Sequence, residues 1–317
     1  MKVLVTGGAG YIGSVMVKSL LDSGHDVVVV DNLSTGIVEL VDSRAKFYEM
    51  DLIDDLSVVG KVDAVIHFAA YKAVEESMDN PTKYSNNIKG LINLLDYMVK
   101  FDVKKIIFSS SAAVYNSLGV VDEKGVLDPI NYYGYTKKIG EEIISWYARL
   151  KGFNYVCLRY FNVVGDALGY VDPCPKNVLP IILEFVNKKR DSFTVYGNDY
   201  DTNDGTCVRD YVDVNDLVNG HLLALSLNEN LVVNLGTGVG TSVLELISVV
   251  EKVSKVKINY SFGPRRAGDV AKLVASNDLA LKKLGWKPVV SLEESVRSML
   301  WKLWLFQVGL IQYTLDM

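Results

Sequence analysis

Cysteine, histidine and proline are scarce in this chain: three, three and seven among 317 residues. Cys157, Cys174 and Cys207 are odd in number and lack paired spacing. That excludes a disulfide framework and a thiolate zinc site, and it fits a reducing compartment. His25, His67 and His221 do not cluster, so no metal centre is expected; His67, inside an apolar run, reads as a satisfied core residue. Charge of one sign is never concentrated: 33 Lys and Arg face 38 Asp and Glu, and the net −5 is spread without long runs. A nucleic-acid partner is therefore not expected. No uninterrupted apolar stretch reaches the ~20 residues a bilayer span needs. The apolar stretch from Leu300 to Phe306, with Val308 to Ile311, is broken by Lys302 and Gln307 and is expected to pack on the second lobe or a partner, with membrane-surface association as the competing reading. The sequence opens directly on a strand-like run with no room for a signal peptide, so the expected location is cytoplasmic. What is abundant is apolar side chain, at 49%, enough for a large core, and 317 residues leave room for a main domain and a smaller second lobe.

The glycines are concentrated where they carry information. Lys2 to Thr6 is a short apolar run of the buried-strand type, and Ile12 to Leu21 shows helical spacing. Between them lies Gly7-Gly8-Ala9-Gly10-Tyr11-Ile12-Gly13. In such a strand-to-helix turn Gly7 permits the tight turn, Gly10 lets the backbone approach a pyrophosphate, and Gly13 lets the helix pack closely. The helix start then offers free N–H groups to phosphate. A second apolar run ends at Asp31, whose carboxylate suits ribose hydroxyls and repels a 2′-phosphate, so NAD is expected over NADP. Asp51 is placed to meet the adenine, with an ordinary loop aspartate as the competing reading.

Strand-like runs at Asp63–Phe68, Lys104–Ser109 and Tyr155–Tyr160 alternate with helical segments at Pro81–Phe101 and after Tyr133. This predicts an α/β fold with a doubly wound parallel sheet of Rossmann type, over residues 1–165, and a smaller mixed α/β lobe over 166–317. Residues near 210–240 are expected to return to the first domain. Ser109-Ser110-Ser111 closes one strand and Tyr133 opens a helix, with Lys137 one turn on, about 6 Å along the axis. Tyr133 is expected to move a proton to or from a hydroxyl, Lys137 to favour its phenolate, and Ser111 to orient or relay.

These residues resemble the extended short-chain dehydrogenase/reductases, and within them the UDP-galactose 4-epimerase group. The likeness runs through Val5–Gly13, Asp31–Ser34, His67–Ala70, Lys72–Val74 with Glu76-Ser77, Asn86-Asn87, Ser109–Tyr115, Tyr133–Lys137 and Leu158–Asn162. It continues in the second lobe through Asn177–Pro180, Tyr196–Tyr200, Asp204–Thr206, Val208–Tyr211 and Arg265–Asp269. The resemblance implies that Tyr11, Ile12, Asn32, Leu52, Phe68, Ala69, Ala70, Lys72, Asn86, Ser109, Tyr133, Lys137, Tyr160 and Phe161 join the glycines, Asp31 and Asp51 around NAD. It implies that Lys72, Ser111, Tyr133, Asn162, Asn177, Val178, Tyr196, Arg209, Tyr211, Arg266 and Asp269 hold a UDP-sugar. Guanidinium forks suit the diphosphate. Val15 and Tyr132 depart from the family's usual histidine and proline, and Leu273 falls near its position that limits the sugar's C2 substituent.

The implied activity is interconversion of UDP-glucose and UDP-galactose through a 4-keto sugar. A UDP-glucuronate or UDP-N-acetylhexosamine epimerase, a decarboxylase and an NAD-binding regulator remain alternatives. A 4,6-dehydratase is disfavoured because Ala112 and Ala113 stand where an acidic pair is needed. Both helices, Pro81–Phe101 and Gly134–Leu150, are apolar on more than one side, so a homodimer is expected.

Overall fold

The computed structural model describes residues 1–116, 119–166, 168–170, 177–266 and 269–307. Cys174, Ala267, Gly268 and the tail from Val308 to Ile311 lie outside them. The chain runs β1 (Lys2–Thr6), α1 (Tyr11–Asp22), β2 (Asp26–Asp31), β3 (Lys46–Glu49), β4 (Ala64–His67), α2 (Val74–Asp79), α3 (Pro81–Tyr84), α4 (Asn86–Lys100) and β5 (Lys105–Ser111). It continues with β6 (Gly119–Val121), α5 (Tyr132–Lys151), β7 (Asn154–Tyr160), β8 (Asn162–Val164), α6 (Val178–Val186), β9 (Phe193–Tyr196), β10 (Val208–Asp213), α7 (Val214–Ser226) and β11 (Leu231–Leu235). The last elements are β12 (Gly240–Ser242), α8 (Val243–Ser254), β13 (Tyr260–Gly263), β14 (Lys272–Ala275), α9 (Asp278–Leu284) and α10 (Leu292–Gln307).

Seven strands form one sheet in the order β11-β7-β5-β4-β1-β2-β3, every pair parallel. Alternation along each strand splits its side chains between two cores. Val3, Val5, Val27 and Val29 face α1 and α7, while Leu4, Val28 and Val30 face α4 and α5. A sheet buried on both sides needs such unbroken valine runs, and the doubly wound Rossmann architecture follows. The strand order reverses between β1 and β4, whose ends are tied by Thr6 Oγ1 and His67 Nδ1 at 2.7 Å. Ligands of open α/β sheets collect at such a reversal.

A second sheet has the order β12-β10-β14-β6, with β8 also paired to β10, and β9 pairs with β13 alone. Its core gathers side chains of α6, α8 and α10. The chain passes between the layers more than once: β11 edges the first sheet, whereas β6, early in the sequence, pairs with β14. Trp286 also returns to the first core, its indole donating to the Asp216 carbonyl at 2.8 Å. No described helix is long and apolar enough to cross a membrane.

Candidate active site

A cavity of about 490 Å³ lies over the carboxyl ends of β1, β2, β4, β5 and β7. Its floor is the glycine turn. Gly7 sits at φ +73, and a Cβ on Gly13 would come within 2.1 Å of the Gly7 carbonyl oxygen, so both the turn and the close helix start require glycine. The first residue of α1, Tyr11, lines the cavity, and its hydroxyl donates to the Gly165 carbonyl at 2.6 Å, tying the turn to the far end of β8. At the tip of β2 the buried Asp31 carboxylate accepts from the Ala9 and Leu33 amides at 3.0 and 2.9 Å. Burial raises its pKa, and the two amides pull the other way. Asn32 donates to Asp51 at 2.7 Å, which holds both side chains at the same wall. Ile12, Leu52, Phe68, Ala69, Ala70, Lys72, Asn86, Ser109 and Tyr160 line the same cavity.

The reacting constellation forms where β5 meets α5. Asn131 caps the helix by accepting from the Gly134 amide at 2.8 Å. The Tyr133 amide donates to Ser77 Oγ at 3.1 Å, fixing the tyrosine's backbone against α2. Tyr132, in the place of the family's proline, bonds Ser85 Oγ through its hydroxyl at 2.8 Å and so braces the same junction. Lys137 Nζ donates to the Ser109 carbonyl at 2.7 Å and stands 5.8 Å from the Tyr133 ring centroid. Burial raises the Tyr133 pKa, and the Ser111 hydroxyl draws it back. Burial pulls Lys137 down to about 7, while the Glu141 carboxylate acts in the opposite sense.

The opposite wall comes from the second layer: Asn162, Asn177, Val178, Arg209, Tyr211 and Leu273 all line the cavity. Tyr196, Arg266 and Asp269, expected at the substrate, are not in that wall. They form a cluster beside it. Asp269 is taken by Arg209 at 3.2 Å, and the Arg266 guanidinium lies 4.4 Å from the Tyr196 ring centre. Arg209 itself also donates to the Val270 carbonyl at 2.7 Å, so one arginine joins cluster and cavity.

Several residues had no role in the sequence reading. Met299 of α10 lines the cavity from a point far along the chain, and no local pattern marks it. Asn87 clasps the Tyr71 amide and carbonyl at 2.9 and 3.0 Å and so shapes the wall beside Lys72. Ser77, like Asn87, lies in a segment that matches the family, but its burial against Tyr133 follows only from the fold.

The family model for the NAD dependent epimerase/dehydratase family matches residues 3–236. A UDP-glucose 4-epimerase of Lactobacillus helveticus is 45% identical over 321 residues, covering 95% of this chain and 96% of its own. The solved UDP-glucose 4-epimerase of Stenotrophomonas maltophila, with bound NAD and formylated UDP-arabinopyranose, superposes with a TM-score of 0.93 at 36% identity, covering 98% of this chain and 99% of that one. That of Bifidobacterium longum, in complex with NAD+ and UDP, gives 0.90 at 37% identity, with coverage of 98% and 99%. With the glycine turn, the strand-end serine and the Tyr133–Lys137 helix gathered on one cavity, the chain belongs to the NAD dependent epimerase/dehydratase family.

Proposed function

We propose that the chain is an NAD-dependent 4-epimerase interconverting UDP-glucose and UDP-galactose. One observation carries the reading: the glycine cradle, the Ser111–Tyr133–Lys137 group and the arginine-bearing wall of the second layer face a single cavity. The cradle suits a dinucleotide, because side chains on Gly7 or Gly13 would collide with the backbone just where phosphates would lie against α1. Gly7, Gly10, Tyr11, Ile12 and Gly13 would hold the pyrophosphate, Asp31, Asn32, Asp51 and Leu52 the adenosine half. Phe68, Ala69, Ala70, Lys72, Asn86, Ser109, Lys137 and Tyr160 would surround the nicotinamide half. NAD, when bound, supplies a reversible hydride acceptor.

Tyr133 moves the proton of the sugar's C4 hydroxyl, Ser111 orients that hydroxyl, and Lys137, beside the phenol, presents its free donors to the ribose. The 4-keto sugar turns over while Asn177, Val178, Arg209 and Tyr211 keep the UDP half in place, and Tyr133 returns the proton after the configuration is inverted. Tyr196, Arg266 and Asp269 act through Arg209 or close on the nucleotide. Residues 1–165, with 210–240, serve the cofactor, and most of 166–317 serves the substrate. The protein works in the cytoplasm as a homodimer.

The test is incubation of purified, NAD-loaded protein with UDP-galactose, UDP-glucuronate and the N-acetyl counterparts, with products resolved by chromatography. UDP-glucose forming from UDP-galactose supports the reading. Conversion of only the uronate or N-acetyl sugars would replace the substrate assignment, and conversion of none would overturn it.

A further inference from the structure

Tyr133, Lys137 and Glu141 follow one another at intervals of four on α5, and each meets one of the three serines ending β5. Lys137 Nζ donates to the Ser109 carbonyl at 2.7 Å, the Ser110 hydroxyl donates to the Glu141 carboxylate, and Ser111 faces the Tyr133 phenol, whose pKa its hydroxyl draws down. Glu141 is in turn gripped by Arg159, whose Nε and Nη2 reach its two oxygens at 2.9 and 2.6 Å. Both residues are buried. Ser110 of β5, Arg159 of β7 and Asn234 of β11 are register partners across neighbouring strands, so the fork is aimed by the sheet itself. Arg159 Nη1 donates to the Tyr115 hydroxyl at 2.8 Å, and that hydroxyl donates to Asn234 Oδ1 at 2.7 Å.

A buried ion pair is a poor device for stability alone, since a well-packed apolar pair often serves as well or better. We propose that Glu141, locked by Arg159, is a positioning residue of the reaction: it clamps the strand end touched by both reacting side chains and stands one helical turn from Lys137 as its counter-charge. This rests on the assignment of Tyr133 and Lys137 as the reacting pair. The ionisable groups around Lys137 leave few rivals for that role. His67, from β4, is lowered by burial to about 3 and is neutral. Cys157 and Tyr160, from β7, are pushed well above their usual values by burial and are neutral. Arg159 is engaged by Glu141; α2 and α4 meet the start of α5 through the uncharged Ser77 and Asn87, the Glu76 carboxylate of α2 is taken by Lys83 and the Tyr84 hydroxyl, and Lys72 lines the same cavity. An anion favours a neighbouring cation, so removing the Glu141 charge makes Lys137 lose its proton at lower pH.

The experiment uses NAD-loaded protein carrying Glu141→Gln, and separately Glu141→Leu combined with Arg159→Met, which leaves no uncompensated buried charge if the single change does not fold. Two quantities are read: kcat and KM for UDP-galactose across pH, and the titration of Lys137 by NMR on lysine labelled at Cε, assigned against Lys137→Met. The expected result is a kcat about tenfold or more lower with KM within about twofold, and a Lys137 midpoint about one pH unit lower. The NMR titration needs no substrate, so it stands or falls independently of the epimerase reading. An unshifted Lys137 titration in folded Glu141→Gln protein, or an unchanged kcat in either folded variant, would overturn the proposal, as would loss expressed in KM with kcat unchanged.

Discussion

Burial works against the charged form of both members of the Tyr133–Lys137 pair. It raises the phenol and lowers the ammonium to about 7, where the spacing alone had suggested that lysine charge would pull the tyrosine down. The ammonium is directed at the Ser109 carbonyl, and the group that lowers Tyr133 is the Ser111 hydroxyl. An oxidised nicotinamide would add the missing positive charge, coupling phenolate formation to the cofactor's redox state. Tyr133→Phe keeps the ring and deletes the proton-transfer group, so turnover should fall roughly 10²–10⁴-fold while bound NAD, measured by release and absorbance, stays near its normal content. Retention of most activity would remove Tyr133 from the mechanism. Arg209→Ala should weaken UDP binding by about 1.5–3 kcal/mol in calorimetry, as a charged donor to the diphosphate is lost. Unchanged affinity would move the diphosphate elsewhere. The glycines, Asp31, Ser111, Tyr133 and Lys137 were legible because their chemistry depends on local spacing. Their partners were not: Arg159 and Glu141 meet across 18 positions of sequence, and nothing in either neighbourhood announces the other.

At the scale of elements, the site depends on how closely α5 can sit on the end of β5. Gly134 is the closest point: a Cβ there would lie 2.2 Å from the Ala113 carbonyl oxygen, which is backbone and cannot rotate aside. Gly134→Ala should therefore push the first turn of α5 outward and separate Tyr133 from Ser111. The expected outcome is a kcat about tenfold lower or worse with the helical circular dichroism preserved, since displacements near an ångström carry such penalties. Full activity would show that the helix start is looser than its packing implies. The long elements could be read in advance because they repeat their pattern over many residues; α5 covers Tyr132–Lys151. The helix expected over Pro81–Phe101 is divided at Ser85, whose hydroxyl bonds the Pro81 carbonyl and Tyr132. Strands such as β6, β8 and β12, at three residues each, are too short to express a period and owe their existence to the strand beside them.

At the scale of the whole molecule, hydrophobic pattern predicts a doubly wound sheet but not which layer a short segment joins. β6 pairs with β14 some 150 residues later through partners such as Val120 and Val274, a choice made by the tertiary fold. The same limit applies to the outer faces of α4 and α5, where surplus apolar side chains signal a partner without identifying it. The two helices pack against each other, with the Tyr147 hydroxyl donating to Asp96 at 2.9 Å. Outside that contact Ile92, Val99, Trp146 and Leu150 remain exposed, Trp146 by 57% and Leu150 by 69%. An apolar strip of this kind on paired helices is covered economically by a second copy across a two-fold axis, giving a four-helix bundle that would also brace α5 behind Tyr133. The native protein should therefore sediment as a dimer at micromolar concentration. Trp146→Glu places a charge in the centre of the strip and should shift the protein toward monomer or aggregate, with the first sheet's circular dichroism retained in the monomer. A native protein that sediments as a monomer, or a Trp146→Glu variant that dimerises as tightly as the original, would exclude this face as the interface.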